Sequence, residues 1–312
     1  MITKVKTKDR DEWLALRHKY IGGSDCAALI GMNPFSSPYA VWAEKTDLIE
    51  PFKGNLATDV GTFLEPFIAQ KWMEETGKKV HNDTLSFLND QYPWAIANID
   101  RKVEGESAGL ELKSCSELRM KEFHGDEYPA NYYAQCVHYL GVTGYQKWYL
   151  GVLVGNRHFL TYEIERDEEE IASLMKAEEE FWNKYVIPKV APPVDGSYAT
   201  TDAINEIFST EGGGLIDLSR YEGTFQQRKN VDAHIRSLKE EKDRLENQIK
   251  VLMGDNEKAT CGLFTVNWKT QRTSGLDRDA IRRDYPDIDF SKYATESRVF
   301  RITEKKSKKE DK

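Results

Sequence analysis

The sequence has few cysteines, and they are dispersed: Cys26, Cys115, Cys136 and Cys261 are the four among 312 residues. None of them forms a Cys-x-x-Cys pair, so their spacing does not indicate thiolates that converge on an iron-sulfur cluster. We therefore expect reduced thiols, as is usual for proteins of the cytosol.

The sequence also lacks a long apolar run and an apolar core near its first residue. No stretch approaches the roughly 18 residues that a membrane-spanning helix needs, and the start, Met1-Ile-Thr-Lys-Val-Lys, is charged. We expect neither a spanning helix nor a secretory signal, and hence a cytoplasmic protein. With 39% hydrophobic and 31% charged residues, the composition is that of a globular chain with one large domain and an appendage.

The sequence does contain a segment, residues 97–115, that predicts two strands around a turn rich in Gly, Ser and Glu. Side chains alternate between the faces of a strand, so Glu111 and Lys113 share one face and Leu112 points to the other. Asp100 ends the first strand, where it can approach Glu111 and share a cation. Two oxygen ligands beside an amine are the minimum set for metal-assisted hydrolysis of a phosphodiester. The alternative is a chance arrangement on a solvated strand.

The net charge of −8 does not fit a passive nucleic-acid coat protein, since such proteins are basic. It does not exclude a metal-dependent nuclease, because bound cations neutralise local carboxylates and basic groups need to line only one groove. Much of the acidity falls in residues 163–180, which predict a helix with a solvated outer face.

Upstream, two features predict a phosphate site. Residues 9–20 indicate a helix that carries Arg17, and the segment Gly22-Gly-Ser24-Asp25 precedes a helix that ends at Gly31. Ser24 is the predicted N-cap, and Asp25 suits the positive end of the helix dipole. Free amides, a hydroxyl and a nearby guanidinium would bind a phosphate. The alternative is that Ser24 only caps the helix and Arg17 is a surface charge.

A carboxylate on an apolar helix face is a further candidate. Residues 59–77 predict a helix on which Glu65 shares a face with Ile68, Ala69 and Trp72. A carboxylate in that position needs a partner, which a metal, a lysine or a buried backbone amide would supply. A structural ion pair is the alternative to a metal ligand.

Polar residues also line one face of a helix predicted over residues 129–141. Gln135 and His138 lie three residues apart on it, beside Asn131. A histidine on such a helix is more often a satisfied structural residue than a ligand, so His138 is a candidate with a structural alternative.

The chain divides into a domain over residues 1–190, a breaker-rich linker over 191–220 and a C-terminal region over 221–312. Strands predicted at 80–88, 93–103 and 108–115 form a meander, and strands at 145–154 and 157–164 are joined by Gly155-Asn156. In the C-terminal region, heptads predict a coiled coil or helical hairpin, followed by a small α+β cap with a helix near residues 278–285 and a strand at 298–302. This region could serve oligomer contacts, dock a partner or pack back on the domain.

These motifs together resemble the viral recombinase exonucleases of the YqaJ and phage lambda exonuclease type, which belong to the PD-(D/E)xK nucleases. The resemblance covers roughly residues 9–187 and keeps the family's order. The motifs that carry it are Arg17, Gly22-Gly-Ser24-Asp25, Gly61-x-x-x-Glu65-Pro, Asp100, Glu111-Leu-Lys113 and Ala134-Gln135-x-x-His138-Tyr139. One departure is Asn98-Ile-Asp100 in place of Pro-Asp, which leaves the metal-binding aspartate intact.

The resemblance implies an α/β (α+β) core, with a central mixed sheet flanked by helices, and a role for each motif. Asp100 and Glu111 would hold Mg2+, with Mn2+ as a substitute, together with the carbonyl of Leu112 and with Glu65. Lys113 would position and help deprotonate the attacking water and stabilise charge on the phosphate, and Gln135 would orient the lysine or the water. Arg17 and Ser24 would bind a 5′-phosphate.

The resemblance also implies a function and partners. We expect a 5′ to 3′ exonuclease on double-stranded DNA ends that leaves 3′ overhangs for a RecT-type annealing protein. It would be phage or prophage encoded, located in the bacterial host cytoplasm and assembled as a ring-shaped trimer. The alternatives are a structure-specific or nicking endonuclease of the same fold, and a DNA-binding assembly module without chemistry.

Overall fold

The chain divides into two compact units, Met1–Ser209 and Thr210–Lys312, in a computed structural model that describes residues 1–82, 85–209, 214–270, 281 and 283–285. No helix within those described ranges is long and apolar enough to cross a membrane. The strands are β1 (Ile2–Lys6), β2 (Ile21–Gly22), β3 (Val80–Asn82), β4 (Leu85–Asn89), β5 (Tyr92–Asn98), β6 (Arg101–Val103), β7 (Ala108–Cys115), β8 (Lys147–Val154), β9 (His158–Glu165), β10 (Lys258–Cys261) and β11 (Phe264–Asn267). The helices are α1 (Arg10–His18), α2 (Gly23–Leu29), α3 (Pro38–Lys45), α4 (Leu56–Thr76), α5 (Ala130–Thr143), α6 (Glu168–Phe181), α7 (Tyr198–Ile207) and α8 (Glu222–Met253).

The first unit contains two mixed sheets. One has the order β1-β4-β5-β2, and the other has the order β3-β6-β7-β8-β9. In the second sheet β7 and β8 run parallel, while the other neighbours are antiparallel. Helices flank these sheets, which confirms the predicted α/β class with a central mixed sheet.

The pair β7 and β8 forms the buried centre of the larger sheet. Leu110 and Leu150 are fully buried, as a strand covered by helices on its face requires. Only glycine fits at position 109, because a Cβ there would lie 2.4 Å from the ring of Trp148. Helix α4 covers this sheet with the predicted apolar face, on which Ile68, Ala69 and Trp72 are buried.

The predicted strand over residues 93–103 is interrupted in the structure. Strand β5 belongs to the first sheet and β6 to the second, so Asp100 lies where the chain crosses between sheets. The predicted continuous meander is therefore wrong at this point. The physical reason is that the Asp100 carboxylate accepts a hydrogen bond from the backbone N–H of Leu112, which ties the bend to β7.

The predicted linker over 191–220 contains a helix that belongs to the first unit. Ser197 caps α7 by accepting a hydrogen bond from the Thr200 N–H at 3.2 Å, and the buried Thr200 hydroxyl donates to Ser37 Oγ at 2.8 Å. Ala203 is buried as well. The breaker-rich residues thus mark a loop before α7 and not the end of the unit, which extends to Ser209.

The described part of the second unit contains a 3-10 helix, Ser219–Tyr221, then α8 and the hairpin of β10 and β11, which turns at Gly262 with a φ of 56°. The predicted heptads lie on α8. Most of the predicted helix at 278–285 and all of the predicted strand at 298–302 lie outside the described residues.

Candidate active site

The three residues of the predicted hairpin converge in the structure. Glu111 and Lys113 lie on one face of β7, and Leu112 is buried on the other face, as the alternation predicted. Asp100 precedes β6, which pairs with β7. The salt bridge from Lys113 Nζ to Glu111 Oε1 is 2.6 Å long.

The carboxylate of Glu111 is buried and only half satisfied. Its Oε1 accepts hydrogen bonds from Lys113 Nζ and, at 2.7 Å, from Gln135 Nε2. Its Oε2 has no hydrogen-bond partner among the described residues. Because a buried carboxylate oxygen without a donor is costly, this atom is set up to accept a ligand.

Two further carboxylates surround Glu111. Asp100 Oδ2 accepts from the Leu112 N–H at 2.8 Å, which fixes the carboxylate against β7. Glu65 Oε2 lies 3.8 Å from Arg101 Nη1, so α4 and β6 bring Glu65 to the same place. Glu65, Asp100 and Lys113 interact electrostatically.

The proximity of these groups shifts their pKa values. Burial, followed by the charge of Asp100, raises the pKa of Glu111 to about 8. Burial raises the pKa of Asp100 too, and burial with the Asp100 charge raises the pKa of Glu65. Burial alone would lower the pKa of Lys113, but Glu111 and Asp100 outweigh it and raise that pKa above its ordinary value.

The donor set fits a hard divalent cation. Carboxylate oxygens are the ligands that Mg2+ and Mn2+ prefer. Glu111 Oε2 has no donor, and the carboxyls of Asp100 and Glu65 are held close by, although their like charges oppose ionisation. A cation would satisfy the orphaned oxygen and relieve this repulsion.

The two residues of the predicted phosphate site, Arg17 and Ser24, lie together, although Ser24 does not cap its helix. Helix α2 begins at Gly23, with Gly22 as the N-cap residue, and Asp25 Oδ2 accepts from the Gly22 N–H at 3.0 Å. The Ser24 hydroxyl is therefore free of the capping role and accepts from Arg17 Nη2 at 2.5 Å. Ser24 is exposed, so the pair of hydroxyl and guanidinium faces solvent at the helix start.

Asp25 has a structural partner that the sequence did not reveal. The side chain of Lys45 is fully buried, and its Nζ lies 2.9 Å from Asp25 Oδ2. Although burial raises the pKa of Asp25, the charges of Lys45 and Arg17 outweigh it and lower this pKa to about 2. Asp25 therefore holds the start of α2 in place and is not itself offered to a ligand.

Helix α5 connects the start of α2, where Arg17 and Ser24 meet, with the carboxylate group around Glu111. Gln135 donates to Tyr139 Oη at 2.9 Å as well as to Glu111. A Cβ at Gly23 would lie 2.6 Å from the Tyr139 ring and 2.9 Å from Gln135 Cγ, so only glycine lets α2 approach α5. Gln135 thus contacts Glu111 directly, whereas the resemblance implied a contact with Lys113 or the water.

His138 lies in the core, where it pairs with Glu178. Its Nδ1 lies 2.8 Å from Glu178 Oε1, and its Nε2 lies 3.0 Å from the carbonyl oxygen of Ile96. Burial would lower its pKa, but Glu178 outweighs burial and raises it. Both nitrogens face oxygen atoms, an arrangement that fits the doubly protonated ring. Cys26 lies beside this pair. Its Sγ, a ring nitrogen of His138 and a carboxylate oxygen of Glu178 lie within 4.8 Å of one another, close enough for a metal ion to bind all three.

The buried Glu178 also corrects the prediction for the acidic helix. It was expected on a solvated outer face, but its side chain is fully buried. The sequence did not distinguish Glu178 from the glutamates that follow it, Glu179 and Glu180, which do face solvent.

Sequence reasoning missed other residues near Lys113. The Lys113 ammonium lies 5.5 Å from the Tyr132 ring centroid, and Arg119 Nη1 donates to Tyr132 Oη at 3.1 Å. Arg119 lies in a 3-10 helix, Glu117–Glu122, directly after β7. Its place directly after β7 was the one sequence signal available.

Comparison with known sequences gives one match of nearly full length. The model of the family described as YqaJ-like viral recombinase domain matches residues 12–146. Protein YqaJ of Bacillus subtilis (strain 168) is 36% identical over 310 residues, which cover 97% of each chain. Protein D345L of African swine fever virus (isolate Tick/South Africa/Pretoriuskop Pr4/1996) is 42% identical over 55 residues, or 18% of this chain and 16% of its own.

Comparison with solved structures gives similarities over the first part of the chain. An alkaline exonuclease from Laribacter hongkongensis is 20% identical with a TM-score of 0.47, covering 58% of this chain and 94% of its own. A phage related exonuclease from Haemophilus somnus 129PT is 16% identical with a TM-score of 0.43, covering 57% of this chain and 99% of its own.

A Mg2+ ion held by Glu111 would have to displace a proton that burial and the charge of Asp100 retain there, so affinity for Mg2+ should rise with pH up to the pKa of Glu111, about 8. We expect affinity at about pH 6 to be at least about tenfold weaker than at about pH 8. Titration calorimetry in buffers of different ionisation enthalpy measures both affinity and proton release. In Glu111→Gln, binding should be weak and nearly independent of pH; an equally strong pH dependence in that variant would contradict the assignment.

Proposed function

Because the chain belongs to the YqaJ-like viral recombinase family, we propose that it is a Mg2+-dependent exonuclease of phage-type recombination. It digests double-stranded DNA ends from 5′ to 3′ and leaves 3′ overhangs. The observation that carries this proposal is the unpartnered Oε2 of Glu111, buried beside Asp100 and the Lys113 ammonium. A bacterial host cytoplasm is the compartment in which such an enzyme meets phage DNA.

In this proposal Asp100, Glu111 and Glu65 hold the ion, with the Leu112 carbonyl as a further ligand. When bound, Mg2+ polarises a phosphate oxygen and lowers the pKa of a water molecule. Gln135 and Lys113 both donate to Glu111 Oε1, so they orient the carboxylate and leave Oε2 for the ion.

Lys113 acts mainly as a cation. Because its pKa is raised by Glu111 and Asp100, the amine stays protonated and donates hydrogen bonds to the attacking water and to the phosphate. This favours the charge-stabilising part of the role that the resemblance implied over the removal of a proton from water.

Arg17 and Ser24 bind the terminal 5′-phosphate in the proposed enzyme. Their mutual hydrogen bond presents a guanidinium and a hydroxyl at the start of α2. Asp25 and Lys45 keep this helix start in place through their buried ion pair. Selection of a phosphorylated DNA end then follows from the position of Arg17.

The C-terminal unit is proposed to carry contacts between copies of the chain. The apolar seam of α8 is exposed, from 43% at Ile249 to 87% at Leu252. The seam consists of Val231, Ile235, Leu238, Leu245, Ile249 and Leu252, with Lys242 at one position. These apolar side chains can be removed from water only by packing against another protein surface.

The charges beside the seam favour antiparallel pairing with a second copy. A parallel pair would face Lys242 with its own counterpart and would set Glu241 against Glu246. An antiparallel pair sets Lys239 opposite Glu246 of the second copy and Lys242 beside Leu245. The family resemblance implies instead a ring-shaped trimer, which a two-fold antiparallel pair cannot close, and a RecT-type annealing partner; the mass of the wild-type assembly distinguishes a dimer from a trimer.

Linear duplex DNA should be degraded while covalently closed circular DNA survives, because digestion begins at an end. Gel analysis of both substrates with Mg2+ measures this, and Lys113→Met should reduce the rate at least about a hundredfold through lost charge stabilisation. Rapid loss of closed circles would instead support an endonuclease of the same fold. Undiminished degradation by Lys113→Met would contradict the proposed chemistry, and no degradation by wild type would favour a binding module.

Duplexes with 5′-phosphorylated ends should be digested faster than duplexes with 5′-hydroxyl ends. Arg17→Ala should remove this preference, because the guanidinium is the phosphate's charged partner, and should slow digestion of phosphorylated ends roughly tenfold or more. Initial rates on the two substrates measure the effect, with Arg10→Ala on the same helix as the control. Equal rates of wild type on both ends would show that the roles of Arg17 and Ser24 are wrong.

Lys239→Glu should weaken the assembly, since it would place two carboxylates opposite each other in the antiparallel pair. The combined variant Lys239→Glu, Glu246→Lys should restore it by reversing the pair. Light scattering coupled to size-exclusion chromatography gives the masses. A wild-type monomer, or a single variant with the wild-type mass and stability, would contradict the antiparallel arrangement.

A further inference from the structure

An exposed aromatic side chain lies on the loop between α2 and α3. Phe35 is 73% exposed, and the guanidinium carbon of Arg119 lies 5.8 Å from its ring centroid. One exposed aromatic residue is ordinary for a protein surface. Its surroundings distinguish this one.

On one side, the loop is tied to the proposed phosphate site. The Phe35 N–H donates to Asn33 Oδ1 at 2.9 Å, and Asn33 Nδ2 donates to the carbonyl oxygen of Ser24 at 3.4 Å. Asn33 therefore fixes the backbone of Phe35 relative to the residue that presents its hydroxyl to the terminal phosphate.

On the other side, a chain of contacts leads to the catalytic strand. Arg119 lies between Phe35 and Tyr132, with its guanidinium carbon 5.5 Å from the Tyr132 ring centroid and Nη1 donating to Tyr132 Oη at 3.1 Å. The Lys113 ammonium lies 5.5 Å from the same ring. Phe35 is thus connected to the phosphate site and to the proposed catalytic lysine by independent contacts.

The guanidinium of Arg119 is held in a fixed orientation. Glu122 accepts from Arg119 Nε at 2.9 Å and from Nη2 at 2.6 Å, which is the bidentate geometry of a strong ion pair. The fixed guanidinium lies beside the ring of Phe35, which is 73% exposed and presents a planar surface to solvent. Bases of nucleic acids stack on aromatic rings.

We propose that Phe35, with Arg119 beside it, is the stacking platform for a base of the terminal nucleotides while the DNA end is bound. This inference rests on the proposed function, because it places the base between the 5′-phosphate at Arg17 and Ser24 and the phosphodiester at Lys113. The ligand class is a nucleotide base without sequence preference, since every base has a planar face.

The test compares Phe35→Leu, which keeps an apolar side chain, with Phe35→Trp, which keeps an aromatic ring. Tyr198→Leu is the control, because Tyr198 is an exposed aromatic residue of α7 at 82% exposure. Binding of the full chain to a 5′-phosphorylated duplex is measured by fluorescence anisotropy in EDTA, where no cleavage occurs. Digestion with Mg2+ then gives kcat and KM.

Phe35→Leu should weaken binding about tenfold and raise KM by a similar factor with little change in kcat. Phe35→Trp and Tyr198→Leu should bind like wild type. A 2-aminopurine base at the 5′ end reports stacking directly: its emission should be quenched on binding to wild type and Phe35→Trp more strongly than on binding to Phe35→Leu.

Equal binding, KM and quenching in Phe35→Leu and wild type would overturn the platform while leaving the exonuclease intact. A wild-type protein that digests no DNA would overturn the proposed function instead. The anisotropy and quenching comparison in EDTA would still decide on Phe35 in that case, because it requires no cleavage.

Discussion

The site depends on a shortage of hydrogen-bond donors at one buried carboxylate. Lys113 and Gln135 both bind Oε1 of Glu111, and Oε2 is left without a donor in the described part of the chain. A fold optimised only for stability would satisfy or remove this oxygen, because burying it unpaired is costly. A bound cation would supply the missing partner of this oxygen. Asp100, whose carboxylate is held by the Leu112 N–H, is placed to bind the same cation.

Helix α5 turns this local arrangement into one connected structure. Gln135 reaches Glu111 from one face, Tyr139 blocks any side chain at Gly23, and His138 faces the core to pair with Glu178. Breaking a buried ion pair of this kind typically costs about 3–5 kcal/mol. The pair therefore fixes the rotation of α5 and, with it, the position of Gln135. His138 supports the site as a structural residue, the alternative that its helical context had favoured.

Local patterns were sufficient to predict that Asp100, Glu111 and Lys113 lie together, but not which other residues they contact. The period of two along β7 correctly placed Glu111 and Lys113 on one face, since alternation is a property of any strand. The partner of His138 lies 40 residues away in an acidic run, where periodicity does not distinguish one glutamate from the next. The role of Ser24 was misjudged as a cap because α2 begins one residue before it, at Gly23, where Asp25 accepts a hydrogen bond from the backbone N–H of the N-cap residue Gly22. Such choices depend on tertiary contacts.

The acidic net charge and the proposed DNA substrate are compatible because the cations at the site are oriented individually. Arg17 is held by Ser24, Lys113 by Glu111 and Arg119 by Glu122. Each is fixed in one geometry, so it adds directional contacts at a DNA end and little to a diffuse positive field. A chain with a charge of −8 gains little from nonspecific attraction to duplex DNA. In the proposed enzyme, affinity would then come from the DNA end itself, where a phosphate, a base and a scissile bond can be bound together.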